Sequence, residues 1–531
     1  MSNETYDVVV VGAGFAGMYL LHRLRGQGLK VRVLEAGTDV GGTWYWNRYP
    51  GARCDIESMQ YSYQFDPELQ DDWHWNERYS PQPQILEYAQ HVAERYDLRR
   101  DIQFNARVKS QTFDESAGAW HVSLEDGSTV SGRICVMATG CLSKPNWPAI
   151  EGLQSFAGPT YHTALWPHDE VRFDGLRVAV IGTGSSAIQS IPHIAEQAEH
   201  LYVFQRTPNY SIPAHNQPMD AAYEQDFKAH YAERRAQAKT THPGIYGEFR
   251  ADAMAATATP AEREAEYRKR WEMGGLLFMG AFGDLMLDAQ ANQSAADFVR
   301  ARIKETVKDP AVAELLCPDN IIGGKRLCVD TNYYQTFNRD NVTLVSVREQ
   351  PIERITAAAV VAHGETYDVD ALVIATGFDA MTGALTDIDI RGRDGARLAQ
   401  RWADGPSSYL GLAMADFPNL FTVTGPGSPS VFTNMLPTIE QHVEWICDCI
   451  AYMGEHGAKV IEAEREAEDA WWQHVQAVAS VGLKSSTDSW YLGANVSGKA
   501  RVFMPYYGGF PPYVEKCNEV AKQGYSGFSM G

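Results

Sequence analysis

The chain has 531 residues, room for about three domains at ~150 residues each, and 44% of them are hydrophobic, an ordinary fraction for a globular protein. Its formal charge of −21 excludes a basic surface for nucleic acid or anionic lipid, so a phosphate-bearing cofactor must be held by local devices against the overall field. Glu4 and Asp7 precede the apolar run Val8–Leu20, which is too short to span a membrane and contains three glycines, so neither a secretory signal nor a transmembrane segment is expected. The eight cysteines include no C-x-x-C pair, and Cys447 and Cys449, in a segment read as helix, should point apart. A reduced, cytoplasmic protein is the expectation.

In chain order, Tyr6–Val11 reads as a buried strand, Gly12-Ala-Gly14-Phe-Ala-Gly17 as a loop and Met18–Arg25 as a helix. A G-x-G-x-x-G loop between strand and helix lets the backbone approach a pyrophosphate that rests on the helix N-terminus. A second strand, Lys30–Leu34, ends at Glu35, 23 residues after Gly12, close to the ~20 expected of a carboxylate that bonds a ribose hydroxyl. Aromatic residues then crowd between Gly41 and Asp55. They read either as a packed cluster under a turn or as a wall around a flat ring system with Asp55 at its edge. Pro83–Arg99 has the pattern of an amphipathic helix. Strands are expected at Gln103–Val108, Trp120–Leu124 and Arg133–Ala138, with a hairpin turn at Asp126-Gly127. Ala138-Thr139-Gly140 is a small-residue exit from the first nucleotide-binding unit.

After a turn-rich linker the theme repeats: strand Leu176–Ile181, loop Gly182-Thr-Gly184-Ser-Ser-Ala187, helix Ile188–Glu199 and strand Leu201–Phe204. Where an acid could stand, Arg206 and Thr207 follow. A carboxylate there favours a free ribose 2′-hydroxyl and an arginine a 2′-phosphate, so the first loop suits FAD and the second NADPH. Residues 217–316 are rich in Ala, Glu, Arg and Gln and read as a helical insertion. Within it, Gly274–Gly283 is either a cavity wall or a packed helix connection. Lys325-Arg326 follow two glycines, and strands at Val342–Val345 and Ala371–Ile374 lead to a second exit, Ala375-Thr-Gly377. Strand Phe421–Thr424, turn Gly425-Pro-Gly427 and helix Thr438–Tyr452 close the first unit, and Asp488–Ala500 reads as a mobile loop.

Two further stretches carry a resemblance. Phe156-x-Gly158-x-x-x-His162-x-x-x-Trp166-Pro167 in the linker resembles the fingerprint of the type I Baeyer–Villiger monooxygenases. Gly42, Trp44, Tyr49, Pro50, Gly51 and Asp55 match that family's motif G-x-W-x-x-x-x-[FY]-P-G-x-x-x-D. The resemblance covers essentially the whole chain, and Gly425–Ser430 with Asn434-Met435 looks most like the phenylacetone and steroid monooxygenase branch. It implies an α/β fold of two Rossmann-like dinucleotide-binding domains, for FAD and NADPH, with a helical insertion. The expected FAD domain is 1–150 and 379–531, with a mobile loop near 485–505; the NADPH domain is 151–216 and 321–378; the insertion is 217–320. The resemblance further implies oxidation of a ketone by NADPH and O2 to an ester or lactone through a flavin C4a-peroxide. Its rival is a flavin-dependent N- or S-oxygenase, which shares the layout without needing Arg326.

The implied catalytic residues are Arg326 and Asp55. Expected on the FAD side are Gly12, Gly14, Phe15, Gly17, Glu35, Thr43, Trp44, Tyr45, Trp46, Arg53, Asp55, Tyr61, Val108 and Met435. Expected on the NADPH side are Thr183, Gly184, Ser185, Ser186, Ala187, Gln189, Arg206, Thr207, Lys325, Arg326 and Trp490. No metal is expected. The implied partners are a small-molecule ketone and O2, with no nucleic acid or membrane, and the chain is expected to act as a monomer or weak oligomer.

Overall fold

A valine-rich strand that ends in glycine lies inside each of the two main sheets. The structure, a computed structural model, describes residues 5–531, so Glu4 lies outside it. In chain order the first strands are β1 (Thr5–Val11), β2 (Val31–Leu34), β3 (Ile102–Gln103), β4 (Val108–Asp114), β5 (Ala119–Leu124), β6 (Thr129–Met137), β7 (Thr160–His162), β8 (Arg177–Ile181) and β9 (His200–Gln205). Val8, Val9 and Val10 are fully buried, as befits a parallel strand covered on both faces. β1 pairs in parallel with β2 on one side and β6 on the other.

The first sheet has eight strands and runs from Asp389–Arg391 through β4, β5, β6, β1 and β2 to β3. Its long strand β6 changes neighbour halfway. Thr129–Gly132 pairs antiparallel with β5, whereas Cys135–Met137 pairs in parallel with Leu420–Thr422. The second sheet is all parallel, in the order Val342–Ser346, β9, β8, Ala371–Ile374, β7. The helices between residues 221 and 316 form the predicted insertion. One of them, Pro260–Met273, opens with a capping box in which Thr259 and Glu262 satisfy each other's backbone N–H groups. Among the described residues no helix is long and apolar enough to cross a membrane.

Two expected strands shift, a further strand appears, and one open alternative is decided. The strand expected over Gln103–Val108 is only two residues long, because Asn105 turns the chain with φ +53°. The polar run Val108–Asp114 is instead a strand whose Val108, Gln111 and Phe113 face inward against β5. The strand expected over Phe421–Thr424 is Leu420–Thr422, since Thr424 adopts φ +57°. Gly274–Gly283 is a packed connection: Phe278 is fully buried against Tyr267 and Phe298.

The helix Met435–Glu455 closes the first unit and buries a histidine and a glutamate. His442 Nδ1 accepts from the backbone N–H of Thr424 at 3.0 Å, and its Nε2 lies 2.8 Å from the Tyr513 hydroxyl. Burial pulls its pKa down to about 3, so it is neutral. Glu440 Oε1 accepts from the Gln64 N–H at 2.5 Å, while Oε2 is buried without a partner among the described residues. Burial pushes the Glu440 carboxyl up to about 7, against the pull of the Gln64 N–H and of Arg235. The folded state therefore holds a proton that the unfolded chain releases. That contribution to stability is complete below about pH 4.5 and is lost as pH rises through about 7. We predict that Glu440→Gln matches the wild type at about pH 4 and is the more stable protein at about pH 8, by up to about 3 kcal/mol. Thermal melts at the two pH values check this, and equal melting temperatures at the higher pH would refute it.

Candidate functional site

Both glycine loops close over the same kind of partner. Gly12 has φ +104°, and a Cβ on it would lie 2.6 Å from the carbonyl oxygen of Ala138. Gly182 has φ +112°, and its Cβ would lie 2.5 Å from the carbonyl oxygen of Ala375. Each loop thus rests on the Ala-Thr-Gly exit of its own sheet. Gly17 packs tighter still, since its Cβ would sit 1.8 Å from the Gly12 oxygen, whereas the second loop accommodates the buried methyl of Ala187. A Cβ on Gly184 would meet nothing within 4 Å, so that loop is open toward the space in front of it.

That space is a single cleft of about 1580 Å³ between the two units. On the first unit it is lined by Gly12, Gly14, Phe15, Glu35, Thr43, Trp44, Trp46, Arg53, Asp55, Tyr61, Val108 and Met435. On the second it is lined by Thr183, Gly184, Ser185, Ser186, Gln189, Arg206, Thr207, Lys325 and Arg326, and Trp490 of the C-terminal segment adds to the wall. Three expected residues are off the wall. Gly17 and Ala187 lie behind their loops. Tyr45 turns away, its ring against Trp46 and His168 and its hydroxyl accepting from the Thr38 N–H at 3.0 Å. The two exits are themselves part of the wall, through Ala138–Lys144 and Ala375–Phe378. They are small residues that sequence reading takes only as strand ends.

The donor sets at the two ends differ. Glu35 is buried, and its two oxygens accept from the backbone N–H groups of Ala13 and Gly37, each at 2.7 Å. Burial pushes its pKa up, and these N–H groups oppose the rise. The carboxylate so pins the first loop to β2 and still faces the cleft, which fits a ribose hydroxyl. At the second loop Thr183 Oγ1 donates to the Thr207 carbonyl at 3.0 Å, which fixes the turn carrying Arg206. Lys325 has its pKa lowered, first by burial and then by the nearby Arg206. Two adjacent cations, neither in an ion pair among the described residues, fit a phosphate.

The aromatic motif joins the units. Gly51 has φ +77°, and a Cβ there would strike the Gln189 backbone oxygen and the His193 ring at 2.3 and 2.4 Å. The Tyr49 hydroxyl donates to Gln189 Oε1 at 2.8 Å, and Gln189 Nε2 donates to the Arg53 carbonyl at 3.0 Å. Arg53 in turn reaches Glu77. Trp44 donates to the Tyr61 hydroxyl at 3.2 Å.

At the joint, Arg326 Nε and Nη2 lie 2.8 and 2.7 Å from Asp55 Oδ2, and Nη1 donates to the Val431 carbonyl at 2.6 Å. Burial alone would lower the guanidinium pKa; the Asp55 carboxylate outweighs it and the pKa is raised. The side chain keeps 27% of its surface accessible although it lies deep in the protein, so that surface faces the cleft.

The linker fingerprint lies mostly behind this wall. His162 is buried and its Nδ1 accepts from the Ala164 N–H at 3.0 Å, while Trp166 packs on Tyr161 and Phe173. A Cβ on Gly158 would lie 2.4 Å from the Asp370 oxygen. Only Ala164 and Leu165 of this stretch reach the cleft. The Trp490 segment is tied across it: Lys499 Nζ lies 2.6 Å from Asp379 Oδ1, and Asn495 Nδ2 donates to the Phe378 carbonyl at 2.7 Å.

Comparison with known proteins agrees with this geometry. Residues 9–249 match the family described as pyridine nucleotide-disulphide oxidoreductase. A Baeyer–Villiger monooxygenase of Pseudooceanicola batsensis is 42% identical over 98% of this chain and 95% of its own. Phenazine N-monooxygenase PhzNO1 of Lysobacter antibioticus is 41% identical over 99% of this chain and 97% of its own. The solved structure of oxidized steroid monooxygenase bound to NADP has a TM-score of 0.94 at 52% identity, covering 99% of both chains.

Because Gly17 has no room for a methyl, Gly17→Ala must displace the Gly12 turn. The variant is expected to purify without the visible absorbance of the flavin anticipated on that loop. A fully yellow Gly17→Ala protein would show that the loop can shift at little cost.

Proposed function

This chain belongs to the Baeyer–Villiger monooxygenases, and from that premise we propose that it oxidises a ketone to an ester or lactone with NADPH and O2, through Arg326 and Asp55. The observation that carries the assignment of residues is the guanidinium held on three sides at the meeting of the two units. We assign FAD to the Gly12 loop and Glu35, and NADPH to the Gly182 loop with Arg206, Thr207 and Lys325. FAD, once reduced by NADPH, supplies the activation of O2.

The chain's own residues then do three things. Asp55 and the Val431 carbonyl fix the Arg326 plane, and the N–H donors they leave free stabilise negative charge on an oxygen beside the ketone carbonyl. A guanidinium with a raised pKa holds such an oxygen without protonating it. The Trp490 segment and the exits Ala138–Lys144 and Ala375–Phe378 wall off water, which would otherwise divert the oxygen to hydrogen peroxide. The 52% identity to steroid monooxygenase supports a place in the phenylacetone and steroid branch.

The boundaries 1–150 and 379–531 for the FAD half, 151–216 and 321–378 for the NADPH half and 217–320 for the insertion are supported by strand membership. Asp389–Arg391 and Leu420–Thr422 join the first sheet, and Val342–Ser346 and Ala371–Ile374 the second. Eight free cysteines support a reducing compartment such as the cytoplasm.

Two variants test the roles. Arg206→Ala removes one charge-assisted contact worth ~1.5–3 kcal/mol, so the KM for NADPH is expected to rise about tenfold or more while that for NADH hardly changes. Arg326→Ala removes a preorganised donor, typically worth about 3–4 kcal/mol. Ester formation is expected to fall at least ~100-fold, with the NADPH still consumed appearing as hydrogen peroxide. Ester formation at the wild-type rate would remove Arg326 from the reaction and favour the N-oxygenating reading that the phenazine N-monooxygenase relative brings to mind.

A further inference from the structure

Beside Arg326 lies a second, part-buried cation that the roles above leave unused. Arg326 donates to the carbonyl of Val431, and the next residue, Phe432, presents its ring to the ammonium of Lys484 at 4.8 Å. Tyr491 and Tyr507 complete an aromatic enclosure, each with its ring centre 5.5 Å from Lys484 Nζ. Lys484 therefore sits across the short turn Ser430–Phe432 from Arg326, near enough for the guanidinium to repel it. His242 stands close by on another wall, its Nε2 3.0 Å from the Tyr507 carbonyl and its proton affinity lowered in part by Lys484.

The charge of Lys484 is not balanced by the protein. Among the described residues it forms no ion pair, and its one hydrogen bond runs to the Gly323 carbonyl at 2.5 Å. An ammonium has three N–H donors, so two are left without a protein acceptor. Lys484 is partly accessible and His242 beside it is exposed, so a small molecule can reach the free N–H donors of the ammonium. Aromatic faces favour a cation there, but a buried, unpaired charge remains costly until an anion meets it.

Building on the ketone-oxidising reading above, we propose that Lys484, across the turn Ser430–Phe432 from Arg326, is a specificity residue that binds a carboxylate carried by the ketone away from its carbonyl. Arg326 then serves the reacting end and Lys484 the distal end. A site built to pair a charged group rejects analogues that lack it more strongly than an apolar pocket can.

The pH behaviour follows. Burial, and then repulsion by Arg326, pull the Lys484 amine down to about 7. The other groups around Lys484 are shifted away from the range above pH 7. Burial lowers His242 and raises Tyr491 and Tyr507, and Arg326 is raised and bonded to Asp55. A carboxylate preference that needs the ammonium is therefore present below about pH 7 and is lost as pH rises above it.

The test compares 4-oxocyclohexanecarboxylate with its methyl ester, using the FAD-loaded enzyme and following ester-product formation. The wild type is expected to favour the carboxylate in kcat/KM by about tenfold or more near pH 6.5. That ratio is expected to shrink toward one near pH 9, a profile that needs no variant. In Lys484→Met the ratio is expected to fall to about one at both pH values, with Lys484→Gln as a second variant if the first loses its flavin. Calorimetry with cyclohexanecarboxylate, which has no ketone, gives an independent reading: binding in the wild type and at least tenfold weaker binding in the variant. No preference in the wild type, or a preference kept by the variant, overturns the inference while leaving ketone oxidation standing. If no ketone, charged or neutral, is oxygenated, the functional reading fails, and the calorimetry alone still decides whether Lys484 holds a carboxylate.

Discussion

The contact on which the architecture turns is the guanidinium of Arg326 against the carboxylate of Asp55. The two residues come from opposite units, and the bond is made at the floor of a cleft, where either charge alone would be expensive. Removing either partner strands the other in a desolvated place, so the pair fixes how the two sheets face each other as well as what lies between them. The aromatic motif reinforces it from the side. Tyr49 and Gln189 bond across the same joint, and Gly51 lets the loop touch the helix Ser185–Gln197 without a Cβ in the way. Charge, ring packing and close backbone approach thus converge on one stretch, residues 41–55.

A second regularity lies in the paired loops. Two segments far apart in the chain, Ala138-Thr139-Gly140 and Ala375-Thr376-Gly377, serve as identical seats for Gly12 and Gly182, with almost equal φ angles and spacings. What differs is the residue after the second strand: a buried carboxylate in one unit and an exposed cation in the other. The loop geometry is thus common to both units, and the difference between them lies in one side chain, held by two backbone N–H groups in the first and exposed in the second.

These features were legible in sequence because each rests on local rules. A valine run, three glycines and a helix at fixed spacing specify the loop whatever surrounds it, and Glu35 and Arg206 fall at positions that the strand length dictates. Other features were not legible. Nothing local separates the polar strand Val108–Asp114 from a loop, since its inward residues gain their meaning only against β5. The linker fingerprint shows in sequence only as a turn-rich stretch, and its His162 and Trp166 give their side chains to packing and a cap, with only Ala164 and Leu165 at the cleft. Lys484 is one lysine among many until tertiary structure surrounds it with three rings and a guanidinium.

The shared strand β6 bears on how the molecule is made. Its first half finds β5 at once, through the turn at Asp126-Gly127, but Cys135–Met137 has no outer neighbour until Leu420–Thr422 has been synthesised. The second sheet starts later along the chain and is complete at Ala371–Ile374, before that missing strand exists. The sheet begun first is therefore the sheet finished last, and on the ribosome its open edge must be sheltered while an entire second unit assembles. Long-range pairing of this kind makes for slow folding, and it leaves the first sheet the later of the two to close its edge.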